Sequence, residues 1–368
     1  MRNKNQYKEP LIHITKKPSI EWWNAALIRA SSIILALILC AFFIVLVTDL
    51  NPLEVYGAMI KGTFGTERKV WVSLQNTAIL LCISIAVTPA FKMKFWNLGA
   101  EGQVLAGGLC TAACMICLGD KMPTSLLFIV MIASSIIAGI IWAVIPAFFK
   151  SRWDTNETLF TLMMNYVAMQ LTSYFIIIWE NPKGSSHVGI INSSSRVGWM
   201  PTIFGQKYML NIIIVFAISI IMFVYLKYSK QGYEISVVGE SVITAKYIGI
   251  NVKKIIIRTA ALSGAICGLA GFLLVSGTNH TITPSTAGGQ GFTAVMVSWL
   301  AKFNPLMMIL VSFLIVFLEK GSGEIASTFR LNESIADIMT GIILFCIIGC
   351  EFFLNYKINF RKKSKEVK

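Results

Sequence analysis

The sequence contains few charged residues: Asp, Glu, Lys and Arg make up only 14% of 368 residues, whereas 55% are hydrophobic and the mean hydropathy is +0.69. In a soluble domain of this length about a quarter of the residues are charged, and these residues cover its surface. The composition therefore excludes a soluble domain and predicts a protein that crosses the membrane many times.

Histidine is also scarce, and the cysteines lack metal-binding partners in the sequence. The three histidines lie far apart, at His13, His187 and His280. Cys110, Cys114 and Cys117 could share one helical face, but no histidine lies near them, and the other five cysteines fall in apolar runs. We therefore expect no metal site, no disulfide framework and no membrane-embedded enzyme.

Two sequence signals are missing as well. No G-x-x-x-x-G-K-[ST] phosphate loop occurs, because the glycine-containing stretches 62–66 and 320–324 lack its spacing. The chain cannot hold ATP by that route, so an ATP-driven process needs a separate motor subunit. No small-residue cleavage site follows a short apolar core near the start, so we expect no removable signal peptide.

Apolar runs long enough to span a bilayer, about 20 residues, recur along the chain. They predict ten crossings, at 30–48, 70–91, 98–118, 125–149, 158–179, 209–228, 259–276, 291–301, 305–318 and 335–354. The run 291–301 is short and could instead be a re-entrant half-helix, but only a tenth crossing keeps the basic tail inside. The predicted fold is an all-α polytopic membrane protein of about ten transmembrane helices, with broken or re-entrant helices and a possible inverted repeat.

The basic residues concentrate at both ends and in alternate loops, which places both termini in the cytoplasm by the positive-inside rule. The predicted organisation is a basic N-terminus at 1–29, a transmembrane domain at 30–354 and a basic tail at 355–368. Within the domain, 228–258 forms a cytoplasmic loop and 180–207 an extracytoplasmic loop. Anionic lipid explains this charge, so we expect membrane lipid and not nucleic acid as a partner.

One polar motif lies in an otherwise apolar segment, at 95–103, which reads Phe-Trp-Asn-Leu-Gly-Ala-Glu-Gly-Gln. An ionisable group in a membrane segment usually faces a cavity or a partner, so Glu101 indicates a solute path. Asn97 could cap a half-helix whose N-terminus points at that path. Glu101 either binds solute or bonds neighbouring backbone to hold a helix break.

The loop 228–258 combines mixed charges with glycines, unlike a flexible linker. It predicts a short helix from about 241 to 248, ended by Gly249. This helix either covers the ends of the membrane helices or docks a motor subunit.

Four motifs occur in one order along the chain. They are 95–103; Asn156-Glu157 with 162–166; Gly239-Glu240 with Ala245, Tyr247, Gly249 and Ile250; and 289–292 with Asn304-Pro305. With them, most of the chain resembles the permease subunits of ATP-binding-cassette importers for nucleosides and simple sugars, which work with lipoproteins of the basic membrane protein type and have the branched-chain amino acid and ribose permease fold. The stretch 298–303 departs from the family, which more often has a glycine-containing turn there.

The resemblance implies a permease in the cell membrane that is not itself an enzyme. It implies a cytoplasmic ATPase that uses ATP, a second, homologous permease subunit, and an extracytoplasmic substrate-binding lipoprotein, with no cofactor in this chain. The expected solute is a nucleoside; ribose, galactose or another simple sugar is the close alternative. An ion-coupled secondary transporter, with Glu101 as the proton or sodium ligand, is a further alternative.

The candidate solute-path residues offer aromatic faces for a base and polar groups for ribose. They are Phe95, Trp96, Asn97, Glu101, Gln103, Asn165, Gln290 and Phe292. The candidate ATPase-coupling residues are Gly239, Glu240, Ala245, Tyr247, Gly249 and Ile250. The half-helix at Asn97 and the segment opened by 289–291 enter from opposite sides, which either reflects two broken helices meeting at mid-membrane or is a chance similarity.

Overall fold

The computed structural model describes residues 12–16, 22–48 and 50–360. The predictions for the basic residues at 1–11 and 361–368 lie outside these residues. Helices dominate the described residues, and the chain divides into two compact units. The larger unit is Thr66–Phe317, and the smaller one combines Met1–Gly65 with Leu318–Lys368.

The helices of the larger unit follow one another with short connections. They are α3 (Glu67–Lys92), α4 (Ala100–Leu118), α5 (Thr124–Trp153), α6 (Glu157–Trp179), α7 (Met209–Tyr228), α8 (Lys230–Glu240), α9 (Val242–Tyr247), α10 (Val252–Leu274) with a π-helical turn (Val275–Asn279), α11 (Gln290–Leu300) and the first half of α12 (Pro305–Phe329). The smaller unit contains β1 (Ile12–Lys16), α1 (Trp22–Thr48), α2 (Pro52–Phe64), the second half of α12, α13 (Glu333–Asn355) and β2 (Tyr356–Phe360).

Helix α10 lies at the centre of the larger unit and packs against α3, α4 and α5. Its glycines allow direct backbone contact, because a Cβ on Gly268 would overlap the carbonyl oxygen of Ser135 and one on Gly264 would overlap that of Gly139. Small residues at such crossings let membrane helices approach closely, which the glycine spacing in this helix predicts.

Nine helices of the described residues are long and apolar enough to cross a membrane, namely α1, α3, α4, α5, α6, α7, α10 with its π-turn, α12 and α13. Each of them was predicted from the apolar runs, although several are longer than the run. Helix α1 begins at Trp22 rather than 30, α10 begins at Val252 rather than 259, and α12 continues to Phe329 rather than ending at 318. Charged residues end an apolar run, but they do not end a helix.

The prediction that 291–301 forms a tenth spanning helix is wrong. Helix α11 has 11 residues, about 16 Å, roughly half the thickness of the hydrocarbon core. The chain from Thr278 to Trp299 nevertheless runs alongside α3. Gln75 of α3 donates a hydrogen bond to Thr278 before α11, and Phe91 of α3 contacts Trp299 near the end of α11. Gln75 and Phe91 are about 24 Å apart along α3, so 279–300 forms a broken crossing of irregular chain followed by half-helix.

The two ends of the chain are joined in the smaller unit. Strands β1 and β2 pair antiparallel from Ile12 opposite Phe360 to Lys16 opposite Tyr356. Helices α1 and α13 pack together, and Ser32 donates to the Cys346 carbonyl at 2.7 Å. Because they are adjacent, the two strands lie on one side of the membrane, which agrees with nine helical crossings and one broken crossing in the described residues. The sequence did not predict this ladder.

The short helix predicted at 241–248 is confirmed. Ser241 caps α9 by accepting from the Thr244 amide at 3.2 Å, and Gly249 ends it with φ of +83°. The sequence missed α8, whose two glycines weaken the helical pattern, and α2. Arg258 donates to Glu234 at 2.9 Å and ties α8 to α10.

Candidate functional site

The linker between α3 and α4 contacts the middle of helix α10. Asn97 donates from Nδ2 to the hydroxyl of Ser263 at 3.2 Å. Ser263 stands eleven residues from either end of α10 (Val252–Leu274). The polar motif 95–103 therefore contains the start of α4 and lies close to the middle of α10.

Glu101 fixes the N-terminus of the broken helix α11. The residue is 2% exposed, and its two carboxylate oxygens accept from the amides of Gly289 and Gly291, each at 2.8 Å. A carboxylate at a helix N-terminus satisfies free amides and interacts favourably with the helix dipole. Of the two roles left open by the sequence, this geometry matches the bonding of backbone at a helix break.

Gly291 is required by this close approach. A Cβ at this position would lie 2.5 Å from the Glu101 amide nitrogen and 2.8 Å from its Oε2. The start of α11 therefore contacts α4 directly, and the carboxylate of Glu101 lies at the N-termini of both helices.

A network of amide side chains supports the same junction. Asn97 Oδ1 accepts from the Gly99 amide and from Gln103 Nε2, both at 3.1 Å. Asn165 of α6 accepts from the Gly102 amide at 2.9 Å and donates to the Leu98 carbonyl at 2.8 Å. Asn97 and Asn165 therefore hold the start of α4 against α10 and α6, whereas Oε1 of Gln103 is buried without a hydrogen-bond partner.

The prediction that Asn97 is the helix N-cap is wrong. The N-cap is Gly99, and Asn97 instead closes a turn two residues earlier. An Asx side chain bonds an amide two residues on as readily as it caps a helix, and here the glycine gives the sharper turn.

The predicted path residues separate into two groups by exposure. Five are buried in the junction, each at most 4% exposed: Phe95, Asn97, Glu101, Gln103 and Asn165. Trp96 and Phe292 are 45% and 43% exposed, and Gln290 is half-buried. The structure brings all eight to one place, but only the second group reaches an open surface.

Sequence reasoning missed Trp299, which is 49% exposed and lies two turns along α11 from Phe292. Its ring stacks on Trp96 with centroids 5.5 Å apart and planes at 30°. The seven-residue spacing of Phe292 and Trp299 was the available signal, since it places both on one helix face.

The irregular segment 280–289 leads from His280 to the start of α11 at Glu101. Ser285, Gly288 and Gly289 are exposed in the larger unit. Irregular backbone at membrane depth is tolerated only where protein buries it or water reaches it. The face of the unit that carries this segment therefore requires water or a second subunit, not lipid.

The predicted coupling residues lie at one end of the unit, on α8 and α9. Gly239 and Ala245 are buried, whereas Glu240, Tyr247 and Gly249 are exposed. The Ile250 amide donates to the Ala245 carbonyl at 2.9 Å and closes the turn after α9. A Cβ on Gly239 would overlap the Lys92 carbonyl oxygen, so α8 contacts the end of α3 through backbone.

This contact links the coupling segment to the polar junction through a few residues. Met93 and Phe95 follow Lys92 and belong to the buried cluster that includes Ile235, Val238 and Ala245. Asn97 and Glu101 come next along the chain. A cavity of about 650 Å³ opens beside the same turn, between α9 and the α5–α6 connection.

The loop 180–208 forms a basic surface at the other end of α10. A cavity of about 260 Å³ is lined by Arg196, Trp199, Lys207 and His280, whose ring stacks on Trp199 at 3.8 Å and 3°. Burial and the nearby Lys207 lower the pKa of His280 below its ordinary value, so the ring is neutral at pH 7. Phe204, at φ of +50°, is 87% exposed.

Glu180 begins this loop and orders it. Its carboxylate accepts from the amides of Gly184 at 2.8 Å and Ser186 at 3.1 Å. These two bonds to the charged form lower the pKa of Glu180.

The sequence of this chain is similar to the sequences of known proteins. A family described as the permease component of the branched-chain amino acid transport system matches residues 72–348. A guanosine ABC transporter permease of Bacillus subtilis is 27% identical over 82% of the chain and 87% of the relative. A nucleoside ABC transporter permease of Lactococcus lactis subsp. cremoris is 24% identical over 88% and 90%, and a glucose ABC transporter permease of Haloferax volcanii is 23% identical over 84% of both.

Proposed function

The chain belongs to the family of branched-chain amino acid transport system permease components, and from this premise we propose that it is the pore-forming permease subunit of an ATP-driven nucleoside importer. It is a multi-pass membrane protein and a transport component. ATP is hydrolysed by a separate cytoplasmic ATPase, and this chain carries no cofactor.

The broken helix α11 is the observation that carries the proposal. Its N-terminus lies at mid-membrane, held by Glu101, and is preceded by exposed irregular backbone that lipid cannot cover. Transporters build solute sites from discontinuous helices at this depth. The solute passes along the exposed face that carries Trp96, Gln290 and Phe292, while the buried amides behind it hold the two helix starts in place.

The exposed aromatic rings and the relatives named for guanosine and nucleosides favour a nucleoside as the solute. A flat base stacks on such rings, and Gln290 offers a polar group to ribose. A simple sugar is the second candidate, because the Haloferax volcanii relative is named for glucose and aromatic rings also receive sugar faces.

The partners follow from the two ends of the larger unit. The ATPase docks on α8 and α9, where Glu240 and Tyr247 are exposed. A homologous second permease completes the path. The binding lipoprotein docks on the loop 180–208, where Phe204 and two cations are presented. Both termini are cytoplasmic.

The test is reconstitution of the permease with its ATPase, second permease and lipoprotein in proteoliposomes. We expect uptake of labelled guanosine or adenosine that requires ATP on the ATPase side and survives an ionophore that collapses ion gradients. Uptake by this chain alone, driven by a gradient, would overturn the proposal. Uptake of ribose or glucose without nucleosides would replace the solute and keep the importer.

A further inference from the structure

Two tryptophans from different elements form an exposed stacked pair. Trp96 lies in the linker before α4, and Trp299 lies at the end of α11. The buried ring of Phe91 contacts both edge-on, at 5.7 and 6.4 Å, and Phe303 contacts Trp299 edge-on at 5.6 Å. The pair is thus held from behind by aromatic rings, while nearly half of each indole stays open.

The pair belongs to the face that lipid does not cover. Trp299 and Phe292 share one side of α11, and the exposed irregular segment 285–289 precedes Phe292. Along α3 the face runs from mid-membrane to Phe91, one residue before Lys92. A lone interfacial tryptophan can lie among lipid headgroups. This pair instead forms the inner end of a surface that starts at the broken helix.

The chemistry of the pair suits an aromatic solute. In the described part of the chain neither indole N–H donates to a protein acceptor, whereas Trp142 and Trp199 bond carbonyls. The two free N–H groups therefore remain available to ring nitrogens or carbonyls of a ligand. The centroid separation of 5.5 Å leaves no space for a third ring between them, so a planar solute can contact Trp299 on the exposed part of its ring or in the place of Trp96.

Resting on the proposed importer function, we propose that Trp299 is a specificity-determining solute contact: it receives the flat face of a nucleobase in exchange for Trp96 at the inner end of the path. The stack of Trp96 on Trp299 in this structure is the state of that contact without solute. Trp96 is joined through Phe95 and Met93 to the turn that packs against Gly239 of α8, so the exchange occurs beside the coupling segment.

The experiment compares Trp299→Ala and Trp299→Phe in the reconstituted importer. Base–aromatic stacking changes affinity by about tenfold, so Trp299→Ala should raise the transport KM for adenosine by about tenfold, while Trp299→Phe, which keeps a π face, should raise it less. Adenosine binding to the isolated lipoprotein should stay constant. The matched control is Trp153→Ala, which removes an indole that is 62% exposed at the end of α5.

A second measurement keeps the test decisive where an alanine variant folds poorly. Irradiating the unmodified importer with 8-azidoadenosine during turnover should label Trp299, Trp96 or Phe292. The inference is overturned if nucleosides are transported but label falls elsewhere, or if Trp299→Ala behaves as Trp153→Ala. Absence of any nucleoside uptake by the unmodified importer contradicts the proposed solute, and absence of any ATP-driven uptake contradicts the importer function itself.

Discussion

At the scale of single residues, the carboxylate of Glu101 acts on backbone rather than on an open surface. It satisfies two amides that begin α11, in a place where water does not replace a lost bond. The sequence located this residue correctly as the notable polar group, because a charge in an apolar run is costly. Its partners could not be read from the sequence, since Gly289 lies 188 residues away and only tertiary packing brings it close.

Replacing Glu101 with Gln is expected to destabilise the protein. One carboxylate oxygen becomes an NH₂ donor facing an amide N–H, and an unsatisfied buried donor costs about 1–3 kcal/mol. We expect a lower unfolding temperature in detergent and a lower maximal uptake rate. A residue that only binds solute would instead raise KM and leave stability intact.

Glu180→Gln is the matched control for this change. Glu180 also accepts from two backbone amides, but in an exposed loop where water can replace a lost bond. Its variant should unfold close to the parent temperature. Equal destabilisation of both variants would contradict the burial argument for Glu101.

At the scale of elements, the contact between α8 and the end of α3 connects the predicted coupling residues to the proposed path. Apolar runs predicted the nine long helices because a bilayer demands about 20 apolar residues in each. They could not predict α8, whose Gly232 and Gly239 reduce helix propensity and are explained by backbone contacts in the fold. Likewise, the sequence of α11 alone predicts a short membrane crossing. Only the structure shows that its start is bonded to Glu101.

Gly239→Ala should uncouple transport from ATP hydrolysis. The added Cβ overlaps the Lys92 carbonyl oxygen, and because that atom is backbone, α8 must move. We expect a several-fold loss of solute-dependent ATP hydrolysis with normal membrane insertion. Gly57→Ala in α2, where nothing lies within 4 Å of the new Cβ, is the control. Equal coupling in the two variants would argue against the α8–α3 contact.

At the scale of the whole molecule, the number of crossings decides where the termini lie. Among the described residues, nine helices alone would separate strand β1 from strand β2, whereas the broken crossing at 279–300 restores an even number, as the β1–β2 ladder requires. From the sequence, the apolar runs predicted nine of the crossings, and the basic tail decided that 291–301 was counted as the tenth.

Reporter fusions test this topology. Green fluorescent protein should fluoresce when fused at either end of the chain, and alkaline phosphatase should be active only when inserted in the loop near Gly184. Gly184 suits insertion because a Cβ added there would meet nothing within 4 Å. Opposite reporter activities at the two termini would contradict both the ladder and the broken crossing.

The pairing of the first and last helices also constrains the order in which the protein is made. Of the described helices, α1 leaves the ribosome first, yet its partner α13 is synthesised after all the others. Until then α1 must remain in the bilayer without that partner, and it contains the most apolar window of the nine spanning helices. The larger unit, Thr66–Phe317, has its residues complete before α13 emerges, so closure of the terminal pair is the natural last step of biogenesis.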